Sequence, residues 1–83
     1  MTQIINAPIN VSAYYFAGPE MKTFPKEIEY GGAYISFANG LRYLVQKGSE
    51  AVRFFDMSAS DGLTYRLRQN GDSWTLLGTK GGF

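Results

Sequence analysis

From Ile9 to Leu77 apolar and polar residues alternate with a period of two, and Gly-Gly, Asn-Gly and Asp-Gly dipeptides cut the alternation. No stretch keeps apolar residues at helical spacing for three turns. Successive side chains of a strand point to opposite faces, so this pattern predicts strands joined by tight turns. It predicts seven strands, over residues 9–16, 24–30, 33–37, 41–47, 51–57, 63–69 and 73–77. Gly31-Gly32, Asn39-Gly40 and Asn70-Gly71 can adopt the positive φ values of two-residue hairpins, and Gly48-Ser49 suits a type II′ turn. Asp61-Gly62 reads as a further turn between strands.

Folding about these turns pairs Ile28 with Ile35 and Ile35 with Leu44, and Phe37 joins them on that face. The opposite face then holds Tyr34 beside Val45, Tyr43 beside Phe54, and Val45 beside Val52. The last hairpin sets Leu67 against Trp74 and Tyr65 against Leu76, with Thr64, Arg66 and Arg68 outward. A one-residue slip would destroy these matches. Both faces of the central strands are apolar, which an open sheet with one wet side would not need. The expected fold is therefore all-β, a strongly bent antiparallel meander closing into a small SH3-like or OB-like barrel or a two-layer sandwich. Pro25 fits an edge position, where no ladder hydrogen bond is lost. Glu27 and Glu29, alternating with Ile28 and Tyr30, place one side of that strand in water.

Composition narrows this picture. Residues 1–83 make one small domain, and an apolar fraction of 45% with 16% aromatics suits a packed core rather than a disordered chain. Residues 1–8 and 78–83 read as ends outside the strands. There is no cysteine, so no disulfide or thiolate site supports the fold. The first residues do not resemble a secretory signal, and no apolar run approaches the roughly 20 residues that span a bilayer. A soluble cytoplasmic protein without membrane contact is the expectation. Eight basic residues against seven acidic ones give a net charge of +1, unlike a protein that grips duplex DNA by its phosphates. With neither histidine nor cysteine, the commonest catalytic base, thiol nucleophile and zinc ligands are missing. Glu27 and Glu29 share a strand face but read as a solvated edge. No enzyme activity, cofactor or metal is expected.

Binding residues are the remaining candidates. The segments "GGAYISFANG" and "AVRFFDMSAS" resemble in part the two aromatic strands of cold-shock domains. They lack that family's Lys-Gly-Phe-Gly-Phe run, and Asp56 stands where its motif places a histidine, so membership is not inferred. The resemblance implies base stacking on Tyr34, Tyr43, Phe54 and Phe55 beside Arg42 and Arg53. Packing in the core is the stronger reading of those rings, because a small domain must bury most of its large apolar side chains. Arg66 and Arg68 leave one face of their strand, and Arg42 and Arg53 could extend that basic surface. The binding candidates are thus Arg42, Tyr43, Arg53, Phe55, Arg66 and Arg68. The connection at residues 17–23 carries Met21 without obvious burial, and the tail "GTKGGF" offers Phe83 as an anchor. The expected function is a non-catalytic binding or adaptor domain that contacts another protein through a sheet edge and an aromatic surface. One alternative is a small barrel binding single-stranded nucleic acid, and another is a small viral or mobile-element inhibitor. The pattern does not indicate an oligomeric state.

Overall fold

In a computed structural model that describes residues 2–81, the chain forms six strands and no helix. They are β1 (Thr2–Ala17), β2 (Lys22–Tyr30), β3 (Ala33–Lys47), β4 (Glu50–Ala59), β5 (Leu63–Asn70) and β6 (Ser73–Gly81). Each strand pairs antiparallel with the next, and β1 pairs with β6 to close a barrel. The order is up-and-down throughout, and closure takes the barrel form rather than the sandwich.

Two long strands make closure possible. Residues 2–9 of β1 pair with β6, whereas residues 10–17 pair with β2. In the same way residues 33–36 of β3 pair with β2, and residues 37–47 pair with β4. A strand shared between two neighbours must bend, and bulges supply the bend. β1 carries one beside Asn6, which has φ 54°, and further irregularities near Ser12 and Ala13. Residues 2–8, expected as an end outside the strands, are therefore integral to the barrel. So are residues 78–81, while the candidate anchor Phe83 lies outside the described residues.

Alternating side chains fill the interior. Ile9, Ile28, Phe37, Phe55, Met57, Leu67, Trp74 and Leu76 are buried together, and Tyr15, Phe24 and Ile35 pack against them. Full burial of one such side chain contributes roughly 1.5–3 kcal/mol, so this cluster is the main favourable term for a chain without disulfides. Phe55 sits at its centre, with Trp74 at 5.2 Å and Phe24 edge-on at 6.1 Å between ring centroids.

Several expected turns form as read. Gly31 and Gly32 have φ of 60° and 76° between the paired Tyr30 and Ala33, the two positive values that a type I′ hairpin needs. Asp61 caps its turn by accepting the Leu63 amide at 2.9 Å and the Tyr65 hydroxyl at 2.6 Å. Residues 18–21 close tightly through Met21 N–H donating to Gly18 O at 3.1 Å, which leaves Met21 exposed.

Asn39-Gly40 does not form a turn. Residues 33–37 and 41–47 are one continuous strand, so the seven expected strands become six. The ladder of β3 with β4 shifts between Phe37↔Ala59 and Asn39↔Ser58, which makes Ala38 the extra residue of a bulge. Gly40 is required by close approach instead of by a turn. A Cβ there would meet Met57 Sδ and would lie 2.7 Å from the Asp56 carbonyl oxygen. Ile35 accordingly does not pair with Leu44, nor Tyr34 with Val45. Ile35 pairs only with Ile28, as expected, and Leu44 pairs with Arg53. Tyr43↔Phe54 and Val45↔Val52 form as expected.

The last hairpin is also displaced. Its two loop residues are Gly71 and Asp72, so Leu67 pairs with Leu76, Gln69 with Trp74 and, beyond a bulge, Tyr65 with Thr79. The expected partner of Leu67 was thus two residues out of register, and that of Tyr65, beyond the bulge, three. Trp74 is nonetheless buried, as the alternation required.

Candidate functional site

The Ala38 bulge decides which residues face where. Before it, Ile35 and Phe37 point to the core. One extra residue reverses the alternation, so Gly40, Arg42 and Leu44 take the inner face. Leu41, Tyr43 and Val45 are turned outward. Without the bulge those three would continue the inner row of Ile35 and Phe37, and Arg42 would face water.

Outside, the Tyr43 ring stacks on Phe54 at 5.5 Å with 15° between planes. Leu41 is 70% exposed on the same face, and Val45 also reaches solvent. Expected core packing of Tyr34, Tyr43 and Val45 is not what forms. Tyr34 is 65% exposed, and among the described residues no strand covers this second face. Arg66 lies across from Asp56 in the β4–β5 ladder and grips its carboxylate through Nε at 2.8 Å and Nη2 at 3.0 Å. That bond raises the Arg66 pKa, and the guanidinium is neutralised locally. Burial, and then the Asp56 charge, raise the Tyr43 pKa. Arg68 stands beside Arg66 on the outer face, opposite Phe54.

Arg42 and Arg53 do not extend that surface. They sit on the inner face at the end of the barrel where β2 and β3 separate. The β2–β3 ladder covers only Glu27–Tyr30 of β2. Among the described residues, 22–25 of β2 pair only with β1, and 37–47 of β3 pair only with β4. The gap is crossed by Arg42 Nη1, which donates to Thr23 O at 3.0 Å. Its guanidinium carbon also lies 5.8 Å from the Phe55 ring centroid. Burial, and then the charge of Arg53, lower the Arg42 pKa. Pro25 stands on the free side of β2, consistent with an edge position, although its ring is buried.

Of the six candidate residues, the structure thus separates Arg66, Arg68 and Tyr43 outside from Arg42 and Arg53 inside. Phe55, only 1% exposed, is a core residue and not part of an aromatic surface. The aromatics read by resemblance as one stacking platform are divided in the same way. Sequence reasoning missed Tyr14, Phe16 and Trp74, which meet Arg42 and Arg53 around a cavity of about 420 Å3. A glycine inside an apolar alternation was the available signal, since it marks a bulge as well as a turn. Glu27 is occupied by Ser12, whose hydroxyl donates to its carboxylate at 2.8 Å. Comparison with protein-family models, curated proteins and solved structures found no match to this chain.

Proposed function

We propose that the protein is a non-catalytic cytoplasmic binding module that takes an extended segment of a partner protein onto the free edge of β3. The observation carrying this reading is that residues 41–47 pair on one side only while presenting exposed apolar side chains. Leu41 is 70% and Leu44 56% exposed, with Tyr43 and Val45 between and beside them. An unpaired edge offers a row of backbone donors and acceptors, and strand addition satisfies them. Side chains on both faces of the edge then supply specificity. The partner is of another kind than a second copy of this chain. Arg42, Lys47 and Arg53 flank the edge, so self-pairing would bring like charges together, whereas a segment carrying acids would complement them.

The outer arginines favour the protein-binding reading over the nucleic-acid one, because Arg66 is already held by Asp56. Affinity capture from cells that make the protein, with and without nuclease, tests the reading when combined with amide exchange. A stoichiometric protein partner that resists nuclease, slows exchange in residues 41–47 and is lost in Leu44→Glu is the expected result. Partners that vanish with nuclease would overturn it, as would protection confined to β5.

A further inference from the structure

The cavity at the open end of the barrel adjoins the β3 edge and adds an aromatic wall that strand addition does not use. Two guanidinium groups, Arg42 and Arg53, line it, and neither is ion-paired among the described residues. Arg42 is part-buried and fixed, with one N–H on the Thr23 carbonyl and its plane near the Phe55 ring. It therefore presents its remaining donors in a set direction without the entropy cost of ordering a free side chain. Two like charges at one mouth repel each other, and an anion between them relieves that repulsion. Among the described residues no carboxylate lines the cavity.

The remaining wall is aromatic. Trp74 lies 6.2 Å from Tyr14 and 5.2 Å from Phe55 between centroids. Tyr14 and Phe16 are 47% and 61% exposed, so their ring faces are open to a stacking partner. A cavity of about 420 Å3 falls within the roughly 300–1,000 Å3 of small-molecule sites. Flat apolar walls beside paired guanidinium groups fit a planar ring that bears a negative group.

We propose that this cavity is a small-molecule site for an aromatic anion of mononucleotide size, with the anionic group between Arg42 and Arg53 and the ring against Tyr14, Phe16 and Trp74. The site shares Arg42 and Arg53 with the surroundings of the β3 edge but does not require a protein partner. The phosphate of a nucleotide and the carboxylate of an aromatic acid share the required chemistry, and titration separates them.

Trp74 is the only tryptophan of the chain, so its fluorescence reports on the cavity wall. The intact protein is titrated with AMP, UMP, phenyl phosphate, 4-hydroxybenzoate, adenosine and orthophosphate. A saturable change with at least one aromatic phosphate or carboxylate is expected, with adenosine and orthophosphate each at least about tenfold weaker. The ligand that saturates at lowest concentration identifies the anionic group. Arg53→Gln, at an exposed position, should keep the melting temperature and the free-state emission while weakening binding about tenfold or more. Arg42→Gln provides a second variant, read with its circular dichroism. Absence of any saturable change, equal binding of adenosine and AMP, or unaltered binding by folded Arg53→Gln would each overturn the proposal. So would a single-stranded oligonucleotide that binds far more tightly than any mononucleotide and is released by Arg66→Ala with Arg68→Ala, since that places the anion site on the outer face.

Discussion

Gly40→Ala tests the bulge on which both surfaces depend. The added Cβ would meet Met57 Sδ and come within 2.7 Å of the Asp56 carbonyl oxygen. Met57 is fully buried, so its thioether has little room to retreat, and the Asp56 oxygen belongs to a paired backbone. Overpacking of this kind costs roughly 1–3 kcal/mol. Gly40 does not have positive φ, so alanine also restricts the unfolded chain and returns about 0.4–1 kcal/mol. A net loss of roughly 1–2 kcal/mol is expected, which lowers the melting temperature by roughly 4–16 °C in a domain of this size. Asparagine provides the decisive contrast. At a turn glycine with positive φ, asparagine is better tolerated than alanine. At a close approach it is worse, because it is larger, and the loss should reach about 3 kcal/mol. Urea unfolding followed by Trp74 fluorescence would measure both variants. A Gly40→Asn protein as stable as Gly40→Ala, or losses below about 0.5 kcal/mol for both, would refute the assignment of Ala38 and Gly40 to a bulged strand.

Two other perturbations follow from buried aromatics. Trp74→Ala removes a ring packed on Phe55 and Tyr14 and should cost about 3–5 kcal/mol, measured by urea unfolding with circular dichroism; a loss below about 1 kcal/mol would contradict its burial. Burial, reinforced by the bond to Asp61, pushes the Tyr65 pKa up to about 12. The raised pKa means that the neutral phenol is favoured in the folded state. Its contribution, about 2–3 kcal/mol, is complete below the unfolded value near 10 and is lost as pH rises through about 12. Stability of the native protein should therefore fall between pH 10 and 12 by more than that of Tyr65→Phe, and identical alkaline profiles would refute the coupling.

Alternation made the strands legible wherever a single period ran uninterrupted. The inner and outer sets of β5 and β6 are the clear cases, including Arg66 and Arg68. β4 is the exception, because its adjacent Phe54 and Phe55 suit either face: the pattern set Phe54 in the apolar row and Arg53 outward, whereas Arg53, Phe55 and Met57 take the inner face. Their mutual register was not. Moving the loop from Asn70-Gly71 to Gly71-Asp72 shifts each partner by two residues as far as the bulge after Arg66, and a shift of two leaves every side chain on its own face. Hydrophobic pattern cannot distinguish such registers, because the burial of each residue is unchanged. The start of β1 was hidden differently. Asn6 at positive φ and Pro8 interrupt the alternation of Ile4, Ile5 and Ile9, and the register shift at Asn6 lies inside the ladder with β6.

The candidate site was less legible because it depends on parity. Arg42 and Tyr43 are adjacent, so one of them must face inward, and residue type alone favours the tyrosine. One extra residue at Ala38 reverses that choice. The same insertion exposes Leu41, Tyr43 and Val45 beside an unpaired edge and carries Arg42 to the barrel mouth, where Arg53, Trp74 and Tyr14 await it. Neither feature strengthens the core, since an apolar row is moved into water and a guanidinium into partial burial. The bulge thus gives up apolar burial and gains two adjoining surfaces, a free strand edge and a cationic aromatic cavity, whose chemistries suit different ligands.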